Sequence, residues 1–136
     1  MEIEIEYLGN LETKCVHGEN GSVVFTDAPK DNQGKGENFS PTDLFAASLG
    51  SCVLTIMGIY AKKIGVDITG TKIQVTKEMA KIPPRRIQHL KCVLTSPHFF
   101  TSDVAEKLQQ AGEHCPVHLS LHPDITCEFI YHWGQK

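Results

Sequence analysis

Residues 44–61 run for eighteen positions without a charged side chain, between Asp43 and Lys62. This feature constrains the fold most, because so long an uncharged segment has to be withdrawn from water by something. Eighteen residues is the lower limit for a membrane-spanning helix. Ser48, Gly50, Ser51, Thr55 and Gly58 dilute its hydrophobicity, and the flanking segments alternate like amphipathic strands. A buried helix is therefore expected, and no membrane partner. Its start is signalled by Ser40 as N-cap, Pro41 at the first position and Asp43 near the positive end of the dipole. Gly65 stops it near Lys63. Apolar residues, among them Leu44, Phe45, Leu49, Val53, Met57, Ile59 and Tyr60, occupy nearly every side, and a helix apolar all round must be buried all round. About 21 helical residues extend about 30 Å. A chain of 136 residues can cover one side of that length with a sheet, hardly both. A homodimer is predicted.

The remaining segments read as strands and short helices. Residues 2–7 alternate glutamate with Ile3, Ile5 and Tyr7, the pattern of a half-exposed strand. Gly9-Asn10 marks a turn, residues 12–17 form the partner strand, and residues 22–26 follow a second turn. Residues 27–39 form a loop long enough to suggest function. Residues 71–80 and 86–96 are two longer strands around Ile82-Pro83-Pro84. Thr101 or Ser102 caps a short amphipathic helix reaching Gly112, and residues 125–132 form the last strand. The order implies a single domain over residues 1–136, of α+β class with a mostly antiparallel sheet.

Thirteen Lys and Arg against sixteen Asp and Glu give a net charge of −3. With no basic run, a nucleic-acid partner is not expected. The first ten residues carry three glutamates where a secretory signal needs a cationic start and an apolar core. The expected location is cytoplasmic, with reduced thiols. Five cysteines is an odd number for a disulfide framework. Cys92 shares a strand face with Leu90 and Leu94, and Cys127 with Ile125, Phe129 and Tyr131; both read as small buried hydrophobes, and Cys15 as structural. Cys52 and Cys115 differ. Cys52 follows Gly50-Ser51 in the long helix, where small neighbours let another segment or a substrate approach the sulfur. Cys115 precedes Pro116 at the start of a helical turn, whose amide donors favour a thiolate. These two could form a redox pair if the fold joins them across sixty-three positions. The rival arrangement is a metal site: His114, His118 and His122 lie close to Cys115, and His118 and His122 are spaced i, i+4. Pro123 follows directly, and no second Cys/His pair has finger-like spacing. No nucleophile elbow, P-loop or dinucleotide fingerprint supports acyl, phosphoryl or hydride transfer.

The string Phe39-Ser40-Pro41-Thr42-Asp43-Leu44-Phe45-Ala46-Ala47-Ser48-Leu49-Gly50-Ser51-Cys52 resembles the OsmC/Ohr family, the osmotically inducible and organic hydroperoxide resistance proteins. Thr26-Asp27-Ala28-Pro29 and Gly34-Lys35-Gly36 before it, and Cys115-Pro116-Val117 after it, extend the resemblance over nearly the whole chain. Its wording is closest to the general OsmC-like branch. The resemblance implies antiparallel sheets wrapped around long central helices in an intertwined homodimer, with active sites at the interface. It implies a thiol peroxidase without metal or organic cofactor, acting on an organic hydroperoxide in stress defence and recycled by a dithiol reductant. Cys52 would then be peroxidatic and Cys115 resolving. The hydroperoxide reductases activate the first cysteine with an arginine of the N-terminal strands, held by a glutamate just after the helix-start proline. Here no arginine precedes Arg85, and Thr42 follows Pro41. Candidate substitutes are Arg85, Arg86 or His17 for the cation and Asp43 or Glu37 for the carboxylate. A non-enzymatic thiol- or ligand-binding protein on the same fold is the alternative, and metal binding through His114, His118 and His122 a second.

Overall fold

Asp43 and Ser40 close the start of the long helix reciprocally: the Ser40 amide donates to Asp43 Oδ2 at 2.9 Å, and the Asp43 amide to Ser40 Oγ at 3.1 Å. This is a capping box built with aspartate. In the computed structural model, which describes residues 1–135, helix α1 runs Pro41–Ile64. Its end is equally well specified. Gly65 sits at φ +76, the Val66 amide reaches back to Ala61 O and the Gly65 amide to Lys62 O, which is a Schellman closure. The helix is long and apolar enough to cross a membrane, a property that core helices of soluble proteins share.

The chain divides into two compact units, Met1–Phe45 and the residues from Ala46 on. In the first, strands β1 (Ile3–Gly9), β2 (Glu12–His17) and β3 (Val23–Asp27) form an antiparallel meander in that order. Register pairs Ile5 with Cys15 and Cys15 with Val24, so these three share one face. Where the sequence predicts a half-exposed strand, Ile3, Ile5 and Tyr7 are all exposed, at 54%, 58% and 64%. After β3 the loop carries a 3-10 turn, Lys30–Asn32. It is closed from inside by Asp27, which is buried and accepts the amides of Glu37 (2.9 Å) and Asn38 (3.0 Å).

In the second unit, β4 (Lys72–Met79), β5 (Ile87–Ser96) and β6 (Thr126–Trp133) form a sheet with β5 central. β4 and β5 are antiparallel; β5 and β6 are parallel. The parallel pair requires a crossover, supplied by α2 (Ser102–Glu113) and α3 (Pro116–Leu119). Ala46, Leu49, Gly50, Val53, Met57 and Ala61 form one buried stripe along α1. With Leu90, Cys92 and Leu94 of β5, Leu108 of α2 and Cys115, this stripe makes the core.

The expected all-round burial of α1 does not hold within one chain. Phe45, Ile59 and Ile64 are exposed, as are Ser48, Ser51 and Thr55 between them. One sheet and one short helix supply only enough surface to cover a single stripe.

Candidate active site

Two glycines set the position of the helix that carries Cys52. A Cβ on Gly50 would lie 2.9 Å from Val75 Cγ2 and 3.2 Å from Ile73 Cγ2, so α1 is seated directly on β4. A Cβ on Gly112 would meet Val53 Cγ1 at 2.9 Å, with Val53 O and Met57 Cε both at 3.2 Å. The last turn of α2 is therefore pressed against α1 beside Cys52. Three residues after Gly112 comes Cys115, whose thiol lies close enough to Cys52 for Cys52 to push its pKa up. Residues 52 and 115 are brought together by packing that their spacing alone does not reveal.

The two sulfurs have different surroundings. Cys52 is partly exposed, and Cys115 is fully buried. Cys115 is the N-cap of α3, and its Sγ accepts the His118 amide at 3.4 Å. Burial pushes the Cys115 thiol above the ordinary range; the His118 amide pulls it down, the neighbouring Cys52 pushes it up again and the Val117 amide opposes. Burial wins. Both thiols are free, as are Cys15, Cys92 and Cys127. Cys92 is buried in the same core, and burial, then Cys127 and Cys115, push its thiol up to about 12. Burial likewise raises Cys127.

The proposed activating residues have identifiable local work. Arg86 Nη1 donates to Ile87 O at 2.9 Å, at the neck of the turn between β4 and β5, and Arg85 is exposed on that turn. His17 Nδ1 accepts the amides of Glu19 and Asn20, both at 3.2 Å. Asp43 caps α1, and the Glu37 amide binds Asp27.

The metal alternative is not assembled. His114 Nδ1 bonds Gln110 O at 2.9 Å, His118 Nδ1 bonds Glu113 O, and His122 Nδ1 accepts the Asp124 amide at 3.0 Å. α3 ends at Leu119, so the i, i+4 spacing of His118 and His122 falls off the helix. Among the described residues no group of three His, Cys, Asp or Glu side chains is gathered as a metal would require. A cavity of about 510 Å³ lies against the second half of α1, lined by Leu54, Gly58, Lys62, Val66, Asp67 and Thr69 among others; Cys52 is not in that lining.

Residues 34–129 match the family model of the OsmC-like proteins. The chain belongs to the OsmC-like family. No curated protein matches it. Among solved structures this OsmC-like chain is similar to a protein of Psychrobacter arcticus 273-4 named for an osmotic-stress-induced and detoxification response: 42% identity, 97% of this chain and 96% of that one, TM-score 0.93. It shares its fold with the organic hydroperoxide resistance protein OsmC of Legionella pneumophila (13% identity, 97% of each chain, TM-score 0.76). The organic hydroperoxide resistance protein OhrB of Bacillus subtilis has it too (15% identity, 96% and 98%, TM-score 0.72).

Two structural residues lie outside the motif reading, one in each unit. Gly112 looks like an ordinary helix end in the sequence, and its role appears only when Val53 is opposite it. Asp27 lies within the family-like string, and its burial could be suspected only from the amide-rich loop that follows.

Proposed function

We propose that this OsmC-like protein is a cytoplasmic thiol peroxidase of stress defence, which reduces organic hydroperoxides through Cys52 and Cys115. The observation that carries the reading is the proximity of these two thiols, one partly exposed and the other fully enclosed. Burial sorts the roles. A hydroperoxide can meet Cys52 from outside, whereas Cys115 is buried.

In the first step the Cys52 thiolate attacks the distal peroxide oxygen. The O–O bond breaks, the alkoxide leaves and takes up a proton as the alcohol, and Cys52 becomes a sulfenic acid. In the second, Cys115 attacks the sulfenic sulfur. The S–S bond forms, the S–O bond breaks, and hydroxide leaves as water with the Cys115 proton. An external dithiol then reduces the disulfide by exchange. Sulfur supplies both electrons, so the cycle uses no metal or organic cofactor. The whole chain acts as one OsmC-like domain, and two copies form the working unit: a partner would cover Phe45 and Ile59 on α1 and the exposed β1 residues Ile3, Ile5 and Tyr7.

The test is turnover of cumene hydroperoxide by the reduced protein with a dithiol reductant. Activity is expected in the wild type, none in Cys52→Ser, and in Cys115→Ser a Cys52 sulfenic acid that a dimedone-type probe traps. Equal trapping at Cys15, Cys92 and Cys127 would refute the assignment.

A second reading, a non-enzymatic thiol- or ligand-binding protein, is favoured by one observation. Arg86 and His17, two of the three candidate cations, hold local backbone groups. Absence of hydroperoxide turnover, with both thiols intact, would select it.

A further inference from the structure

Cys115 lies inside a short brace. Its sulfur accepts the amide of His118, so the position of residue 118 helps to set where the sulfur points. His118 is itself held: its Nδ1 bonds the carbonyl oxygen of Glu113 at 2.5 Å, a closure around residues 113–118, which contain Cys115. A carbonyl can only accept, so Nδ1 carries the proton. The carboxylate of Glu113 accepts the hydroxyl of Tyr131 on β6 at 2.6 Å. Phe129 of the same strand meets the His118 ring edge-on at 5.2 Å and stacks on Tyr131 at 6.4 Å. Residues 113–118 are thus tied from main chain, side chain and ring face to β6, while Gly112 ties the preceding residue to α1. Neither Glu113 nor Tyr131 has a role in the thiol chemistry above.

We infer that His118, held by Glu113 and Tyr131, is a positioning residue for closure of the Cys52–Cys115 disulfide. The Nδ1–H bond to Glu113 O fixes the turn that aims Cys115 Sγ at Cys52. This rests on Cys52 and Cys115 forming a redox pair, and not on hydroperoxide being the oxidant. Closure needs the attacking sulfur in line with its target, and small misplacements of reacting atoms are costly in rate. The ring is not asked to exchange a proton with either thiol; its contribution is geometric.

The test drives closure with diamide, which takes up two electrons and two protons as the two thiols become a disulfide. Formation of the Cys52–Cys115 peptide pair is followed by mass spectrometry in the full-length protein. Alkylation of Cys52 in the reduced protein serves as the readout of ordinary access. His118→Ala should slow closure about tenfold, on the scale of a fraction-of-an-ångström misplacement, with Cys52 alkylation unchanged within about twofold of that same scale. An asparagine amide places an N–H where imidazole has Nδ1–H, and a glutamine places it near Nε2. His118→Asn should therefore recover most of the rate and His118→Gln should not. Tyr131→Phe, which deletes only one oxygen, should slow closure in the same direction, and it carries the test if His118→Ala fails to fold.

Wild-type closure rates in His118→Ala, equal rates in the Asn and Gln variants, or an unchanged rate in Tyr131→Phe would each overturn the inference. Diamide closure in a wild type that does not turn over cumene hydroperoxide would remove the peroxidase reading and leave this one standing. A wild type that diamide cannot close would remove the pairing itself.

Discussion

Two residues, Gly50 and Gly112, do most to bring the thiols together, and neither is a thiol. Gly112 admits Val53 at a distance no side chain would allow. Gly112→Ala should lower stability by about 1–3 kcal/mol, the cost of overpacking a close contact. The check is the urea midpoint, with slower diamide closure of Cys52–Cys115 in the same variant; an unchanged midpoint would show that the neighbours yield freely. Cys92 provides a pH-dependent prediction. Its thiol is pushed up to about 12 in the fold, by burial first, while an unfolded thiol titrates near the ordinary 9. The unfolded chain therefore loses this proton first as pH rises. The stability tied to the neutral thiol is complete below pH 9 and is lost between 9 and 12. Cys92→Val should flatten the decline over that window in denaturation curves, leaving the part due to Tyr131, Cys115 and Cys127, which are also raised. Parallel curves for the two proteins would exclude Cys92 as a contributor.

Among the elements, the ends of α1 are specified by local chemistry and its faces are not. Ser40, Pro41, Asp43 and Gly65 locate both ends in the sequence, and the helix Pro41–Ile64 matches them. Gly65 has a positive φ with open space around its missing Cβ, so Gly65→Ala pays only backbone strain, about 1–2 kcal/mol. It should lower the urea midpoint without altering disulfide closure, unlike Gly112→Ala. In the loop of residues 28–38, the Asp27 carboxylate accepts the amides of Glu37 and Asn38. Asp27→Asn places an amide nitrogen against the Glu37 or Asn38 N–H, with an expected loss of about 1–3 kcal/mol from the unsatisfied group. Faster limited proteolysis within that loop is the measurement; an unchanged cleavage rate would show that other bonds close it. Strand existence was legible from period-two alternation. The parallel pairing of β6 with β5 was not, because alternation says which face a residue takes and nothing about the neighbour's direction.

At the scale of the whole molecule, the exposed residues of α1 and β1 motivate the proposed dimer. Sedimentation at micromolar concentration should give a species of about twice 15.1 kDa. Ile59→Glu, on the uncovered side of α1, and Ile5→Glu, on the meander, should each shift it toward monomer, because a charge in a closed apolar interface is costly. A well-folded wild-type monomer would overturn the dimer and the expectation of a site at its interface.

Sequence alone determined the element order, both ends of α1 and the family, and it singled out Cys52 and Cys115 as candidates among the thiols. Each of these is written in short-range signals: a cap, a glycine stop, a period of two, a motif read in register. Tertiary structure decided what depends on residues far apart meeting. It joined residues 52 and 115 through Gly112, dispersed the histidines by ending α3 at Leu119, gave His17 and Arg86 local backbone partners, and left one face of α1 open. A sequence records which groups are present, whereas close approach depends on how whole elements pack, and that is set by many small contacts at once.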